Sequence, residues 1–298
     1  MKKTKRRVAL VIKRSSYRKL VLEGHDTTVT KLLMKRDPTV SRMQQSHEAH
    51  EATLAEVEAA LADLDAEVVF RGGPHARVPA RTDLVVTVGG DGTLLDASHL
   101  LGKDCPLLGI NSAPGSSIGF FCAGQRGNAK KTLRRALAGE LAASELTRMR
   151  VELNGKCLHA RVLNEALFCH ASPAATSRYI LELPGGSEDQ RSSGLWIGPA
   201  AGSTAAQRSA GGKVLPLESD RIQYVVREPY TPAGGHFRFA RGLVRAGEEV
   251  VLRSKMRDAK VFLDGHRLVH EVHIGDVLVM RRSGESLTVL GISKKRRW

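Results

Sequence analysis

Aromatic side chains make up only 4% of this 298-residue chain. Platforms that stack single-stranded nucleic acid are built from aromatics, so the scarcity argues against that class. Cysteine is also sparse. The four residues Cys105, Cys122, Cys157 and Cys169 form no C-x-x-C pair and are too few for a disulfide framework, so reduced core thiols are expected. No apolar run reaches the roughly 18 residues that a membrane span needs. The apolar stretch behind the basic start, Val8 to Ile12, is closed by Lys13 and Arg14 and is too short for a secretory signal. A cytoplasmic protein without a membrane partner is the expectation. Internal repeats and low-complexity segments are absent.

Positive charge is abundant, with 46 Lys and Arg against 31 Asp and Glu, a net +15. Such a surplus attracts nucleic acid, membrane surfaces or phosphorylated metabolites. Its placement decides among them. Five basic residues stand in the first seven positions and four more at Lys294 to Arg297, where charge runs are ordinarily solvated tails. The remainder, 37 basic against 31 acidic residues, suits a cleft for polyphosphates. No nucleic-acid-binding motif is present, so nucleic acid is not the expected partner.

The length suggests two domains. Residues 8–13 read as a buried strand, 14–39 as a polar irregular stretch, and 41–64 as a helix whose Leu54, Val57, Ala60 and Leu61 share one face. Strands at 66–70, 84–88 and 106–110 alternate with a helix at 94–101, the pattern of a parallel α/β sheet. From about Glu145 short strand-like runs follow one another at 150–154, 157–168, 178–183, 194–198, 221–227, 249–253, 260–263 and 276–280, which indicates an antiparallel β domain. The expected division is an α/β domain over 1–144, a β-rich domain over 145–275, and a C-terminal segment over 276–298.

Three constellations could carry chemistry. Gly89-Gly90-Asp91-Gly92-Thr93 lies at the carboxyl end of a predicted strand and before a helix, where open α/β sheets place ligands. Its glycines allow positive φ and close approach of a phosphate, and the helix start attracts anions. A carboxylate at an anion site makes sense if Asp91 takes a hydroxyl proton or works with a metal that screens the phosphates. Asn164-Glu165 interrupts the apolar run Val162 to Phe168. Either Asn164 caps a turn or the pair faces a cleft and grips hydroxyls. Gly194 to Gly212 is small and hydroxyl-rich, with Ser203 or Thr204 as possible helix caps. Gly198 to Gly202 is too short for a P-loop and no Lys follows Gly202, so the small residues suggest close approach by a ligand. His47-Glu-Ala-His50 lacks zinc-protease spacing, and a solvated helix face is expected there. His266, His270 and His273 fit no metal geometry.

Taken in order, Gly89 to Thr93, Gly109-Ile-Asn111 with Gly119-Phe-Phe121, Leu163-Asn-Glu165, Gly202-Ser-Thr-Ala205 with Ser209-Ala-Gly-Gly212, and Asp264-Gly265 resemble the NAD kinase family over residues 8–290. The Gly-Gly-Asp-Gly-Thr element alone is shared with diacylglycerol and sphingosine kinases; the ordered set is far more specific. The resemblance implies a Rossmann-like N-terminal domain, a β-rich C-terminal domain whose tail returns to the first, and a homo-oligomer. It implies transfer of the γ-phosphoryl of ATP, carried with Mg²⁺, to the 2′-hydroxyl of the adenosine ribose of NAD. Asp91 would accept the hydroxyl proton, and Gly89, Gly90, Gly92 and Thr93 would cradle phosphates. Phe120 and Phe121 would pack near the adenine, and Asn164 and Glu165 would hold polar groups of NAD. Thr204, Ala205 and Ser209 would line the same pocket. No protein metal ligands are assigned.

Several positions depart from the family pattern. The family usually shows Thr-Pro-Thr-Gly-Ser-Thr-Ala-Tyr where this chain has Pro199 to Ala206, so an aromatic is missing at Ala206. Ser193 stands where Asp is frequent, the segment from Asn111 to Gly119 is long, and the 14–40 stretch resembles the mitochondrial-type branch. A lipid kinase of the diacylglycerol type and a non-catalytic nucleotide- or nucleic-acid-binding protein are the alternatives.

Overall fold

The computed structural model describes residues 5–231 and 237–292. The basic run at 294–297 and residues 2 and 3 of the N-terminal run lie outside the described residues. The chain divides into two compact units, one up to Ser144 joined by a stretch from Thr288, the other from Glu145 to Leu287. Among the described residues no helix is long and apolar enough to cross a membrane.

The first unit is built on β1 (Arg7–Ile12), β2 (Glu67–Gly72), β3 (Leu84–Gly89), β4 (Leu107–Asn111) and β5 (Cys122–Gln125). The sheet runs β2-β1-β3-β4, then the strand Leu287–Leu290, then Ala143–Leu146, with β5 also beside β4. β1 pairs with β2 and β3, and β3 with β4, all in parallel. Every residue of β3 and β4 is buried, which accounts for their unbroken apolar runs: helices cover both faces of a parallel sheet. The helices are α1 (Thr27–Met34), α2 (Met43–Asp63), α3 (Asp91–Ser98) and α4 (Ala129–Leu137). Leu54, Val57, Ala60 and Leu61 of α2 pack with Val8, Leu10, Val86 and Val88 of the sheet and with Ala129 and Leu133 of α4.

Two expectations in this unit are corrected. The 14–39 stretch is ordered into a π-helical turn (Arg18–Glu23), α1 and a 3-10 turn (Pro38–Val40). Neither the π turn nor α1 buries a residue, so no apolar periodicity marks them. α1 starts instead on a local cap, the Asp26 carboxylate accepting from the N–H groups of Thr28 and Val29. His47 and His50 are not on a solvated face. Both are buried, on the same side of α2 as Leu54 and Val57. Tyr17 stacks on His47 and the Ser15 hydroxyl meets its Nδ1 at 3.0 Å. Burial pushes His50 down to about 4, so it packs as a neutral ring.

The second unit holds two six-stranded sheets. One runs Gly186–Ser192, Ser177–Leu183, Glu249–Ser254, Val277–Arg282, Met149–Leu153, Lys156–Val162. The other runs Arg241–Val244, Ile222–Arg227, Gly194–Pro199, Ala166–His170, Ala259–Leu263, Leu268–Val272. Phe168, Tyr179, Leu195, Ile197, Val250, Val261 and Met280 belong to its apolar core. The edge strand Gly186–Ser192 is polar almost throughout, so its sequence does not announce it. The run 157–168 is two strands, broken at 163–165. The strand at 277–282 stays in this unit's sheet, and only the last strand, Leu287–Leu290, pairs with β4 of the first unit's sheet. The four cysteines are free and only partly buried, where core thiols were expected.

Candidate functional site

β3 ends at Gly89 and α3 begins at Asp91, so the glycine loop is a tight strand-to-helix turn with Gly90 as N-cap. Positive φ is not what its glycines supply: Gly90 has φ −111°, and neither Gly89 nor Gly92 is in the left-handed region. Space is the reason for two of them. A Cβ at Gly89 would lie 2.3 Å from the Thr93 hydroxyl, and one at Gly90 2.3 Å from the Ser117 hydroxyl. Gly92 faces open space, with no atom within 4 Å of the place a Cβ would take. Thr93 is buried against Gly89 rather than open to a ligand.

Asp91 is oriented by the chain that follows β4. Its Oδ2 accepts from the Phe120 N–H at 2.9 Å and its Oδ1 from the Phe121 N–H at 2.8 Å. Each oxygen keeps a lone pair in addition to that bond. The long 112–118 segment is closed by Asn111, whose Nδ2 donates to the Ser117 carbonyl and whose Oδ1 accepts from the Ala113 N–H. Gly119 completes the closure at φ +64°, against the Asn111 side chain. Phe121 is buried; Phe120 is only partly so, its ring edge-on to Phe121 at 5.0 Å. Burial, reinforced by the Asp91 charge, pushes the Cys122 thiol up to about 12 and leaves it inert. Beside this loop, at the carboxyl ends of β1 and β4, a cavity of about 540 Å³ is lined by Lys13, Ser15, Ser16, Thr39, Arg42 and Ser116 among others. Cations and hydroxyls of that kind suit a polyphosphate.

In the second unit Asn164 and Glu165 lie where the two strands break, and Glu165 is buried. Their backbone is held by Asp264, a residue at φ +49°. Asp264 Oδ2 accepts from the Leu163 N–H at 2.8 Å, and Oδ1 from the N–H groups of Asn164 at 2.6 Å and Glu165 at 3.0 Å. Asp264 N–H donates back to the Glu165 carbonyl at 2.9 Å. Gln207, wholly buried, donates from Nε2 to the Asn164 carbonyl at 3.3 Å.

The small residues of 194–212 have a different reason from the one expected. A Cβ at Gly202 would lie 1.7 Å from the Asn164 carbonyl oxygen, and one at Gly198 2.3 Å from the same atom. These glycines admit the protein's own backbone. Ser203 is structural too: its hydroxyl donates to the Ala200 carbonyl and accepts from the Leu215 N–H. Neither Ser203 nor Thr204 caps a helix through its side chain. Thr204 and Ala205 are partly buried and Ser209 is exposed. Ala206 and Ser209 border a cavity of about 520 Å³ with Trp196, Ala210, Arg227 and Glu228. The Arg227 guanidinium sits 5.7 Å from the centre of the Trp196 ring, so an aromatic does stand beside the position where the family pattern has tyrosine.

Glu165 is the most perturbed acid of this cluster. Burial, with the Asp264 charge adding to it, raises its carboxyl to about 7, and Oε2 is buried without a partner. Its folded-state value lies above the ordinary 4.5. The stability this group contributes is therefore complete below pH about 4.5 and is lost as pH rises through about 7. Melting temperatures of wild type and Glu165→Gln, compared from pH 4.5 to 8, should show that fall in the wild type alone; parallel curves would contradict it.

Asp264, Asn111 and Gln207 were not among the candidate site residues. The Asp264-Gly265 turn is visible in the sequence, but nothing there ties it to residues about a hundred positions earlier.

Residues 1–141 match the family model of the ATP-NAD kinase N-terminal domain. A protein of Oryza sativa subsp. japonica named "Probable NADH kinase" is 36% identical over 229 residues, which cover 70% of this chain and 70% of that protein. An NAD kinase from Archaeoglobus fulgidus, solved in complex with ATP, has a TM-score of 0.68 at 19% identity and covers 98% of this chain and 96% of its own. Yeast NADH kinase complexed with NADH has a TM-score of 0.70 at 17% identity, over 99% of this chain and 86% of its own. At those identities the two structures establish the fold, a Rossmann-like α/β unit with a β-rich unit, and the sequence match to the rice protein establishes the kinship. The chain belongs to the NAD kinase family, the enzymes that phosphorylate NAD.

Proposed function

We propose that this chain transfers the γ-phosphoryl of ATP to the 2′-hydroxyl of the adenosine ribose of NAD, with Asp91 as the group that orients the hydroxyl and takes its proton. The observation that carries the assignment is the Asp91 carboxylate, held at a strand-to-helix turn by two backbone N–H groups with acceptor capacity to spare. A loose phosphoryl transition state needs orientation and charge stabilisation more than a strong base, and a fixed carboxylate supplies the first. In the second unit Asn164 and Glu165 hold polar groups of the dinucleotide and Thr204, Ala205 and Ser209 contribute to its binding; in the first unit Phe120 packs against adenine. The cavity lined by Lys13 and Arg42 takes the donor's phosphates. A coupled assay for NADP from NAD, ATP and Mg²⁺ tests the activity; purified protein that forms no NADP would refute it.

Mg²⁺ bound with ATP would screen the charge of its phosphates. Mg²⁺ is commonly held by one or two carboxylates together with substrate phosphates, and Asp91 is the acid available in the glycine loop. Both redox forms of the acceptor are part of the proposal, because similar proteins carry the name NADH kinase. Cytoplasmic location belongs to the same reading, tested by cell fractionation.

Gly92 distinguishes a ligand's space from the protein's own. Gly92→Ala should leave the melting temperature unchanged or slightly higher, since alanine is the better helix former by about 1 kcal/mol. It should nevertheless lower kcat/KM about tenfold or more by obstructing phosphate approach. Unchanged kcat/KM would remove Gly92 from the site.

A homo-oligomer is the proposed assembly. Phe262 stands opposite Leu167 and Val269, and Leu167 opposite Trp196, in a cross-strand row on the sheet face turned away from the core. These apolar side chains are partly or largely exposed. A row of that kind suits burial against a second copy. Phe262→Glu should yield monomers in light scattering; an unchanged mass would count against this face.

A further inference from the structure

Asp264 has no assigned role, and its surroundings supply one. A break between two sheet strands leaves backbone N–H groups without ladder partners, and buried N–H groups must find acceptors elsewhere. At 163–165 one carboxylate meets all three N–H groups, and its own N–H closes the ring onto the Glu165 carbonyl. The left-handed backbone at Asp264 and Gly265, φ +49° and +106°, is what turns the carboxylate back onto the break. The Asp264 charge is felt by Arg148, which is wholly buried. Arg148 and Arg161 share the Glu285 carboxylate, so Arg148 is itself anchored.

We propose that Asp264 is a positioning residue for the dinucleotide: it fixes the Leu163-Asn164-Glu165 backbone in the one turn that presents both polar side chains, and it sets a negative charge beside the buried Glu165 carboxyl. This rests on the reading that Asn164 and Glu165 hold NAD. Asp264 is the charge that acts on Glu165, and Arg148, whose own charged neighbours are Arg161 and Glu285, interacts with Asp264; the neighbouring Gly198, Gly202 and Gln207 carry no charge. An isosteric amide at 264 would turn an N–H₂ group toward at least one backbone N–H, donor against donor, and would remove the charge.

The test compares wild type, Asp264→Asn, Asp264→Glu and Glu165→Gln in the NAD kinase assay across pH 5.5–8.5. Asp264→Asn should raise KM for NAD about tenfold or more with kcat within a few-fold of wild type. The pH dependence of KM expected of the wild type near neutrality should move to lower pH, because the neighbouring negative charge is gone. A merely structural residue would move neither the midpoint nor the split between KM and kcat. Asp264→Glu, which keeps the charge, should leave the midpoint in place. If Glu165→Gln raises KM while Asp264→Asn matches wild type in KM and midpoint, the proposal is wrong and the reading of the site stands. If Glu165→Gln leaves KM unchanged, the reading of the site fails and the proposal with it. Should Asp264→Asn not fold, hydrogen exchange on the wild type decides: the amides of 163, 164 and 165 must be protected like strand amides, and rapid exchange overturns the clamp.

Discussion

Asp91→Asn lowers kcat by about 10²–10⁴-fold, the usual contribution of a positioned proton acceptor. Asparagine preserves shape but cannot take a proton, and its N–H₂ group faces a donor, either Phe120 N–H or Phe121 N–H. Two effects therefore combine: the hydroxyl loses its acceptor and the 119–121 turn loses one of its ties. The first acts on kcat, the second on adenine packing and hence on KM for NAD. Asp91→Ala removes the acceptor and both ties, so kcat should fall as far as in Asp91→Asn while KM for NAD reports the loss of the second tie. Both variants should retain the wild-type circular dichroism. If Asp91→Asn keeps a tenth or more of wild-type kcat, proton acceptance by Asp91 is excluded, whatever happens to KM.

The second large effect is on stability. Arg148→Ala should cost about 2–5 kcal/mol, from the cavity left by a wholly buried long side chain and from carbonyls stripped of donors. Its guanidinium donates to the Glu285 carbonyl at 3.0 Å and the Ser286 carbonyl at 2.8 Å, and lies 3.7 Å from the Glu285 carboxylate. Burial lowers its pKa to about 10, far enough above neutrality that the charge remains. Arg148→Met, which refills much of the volume but satisfies neither carbonyl, should recover only part of the loss. Denaturant unfolding measures both; an Arg148→Ala loss below about 0.5 kcal/mol, the range of ordinary surface substitutions, would show that the buried cation contributes nothing. The Glu285 side chain is partly exposed, so the ion pair itself is the lesser share of this effect.

The parts of the molecule that were legible share a physical property: their signal is local. Continuous apolar runs marked β1, β3 and β4, because burial on both faces leaves no room for alternation. One apolar stripe marked α2. The glycine loop was placed at the carboxyl end of β3 because strand, turn and helix follow one another within a dozen residues. Where stability comes from elsewhere, the reading failed. The π turn and α1 bury nothing; α1 starts on the Asp26 cap, and the Arg18 N–H of the π turn donates to the Ser15 hydroxyl. The strand Gly186–Ser192 is held by its ladder to Ser177–Leu183 and has almost no apolar residue. His47 and His50 are polar in composition yet lie inward, because α2 presents that side to Ser15 and Tyr17.

By itself the sequence determined the alternation of strands and helices, the passage to an antiparallel β region near Glu145, the position of Asp91 in its glycine turn, and the ordered motifs that mark an NAD kinase. Tertiary structure decided the rest. It showed that Gly89, Gly90, Gly198 and Gly202 are small to admit the protein's own atoms, whereas Gly92 faces open space. It showed that Asp91 is aimed by the amides of residues 120 and 121, and the Asn164-Glu165 turn by a carboxylate at 264. The physical reason is range. A residue's own propensity and the period of its neighbours act over a few positions and are written in order along the chain. The partner that satisfies a buried N–H, or the oxygen that leaves no room for a Cβ, arrives from a hundred residues away once the sheets have formed.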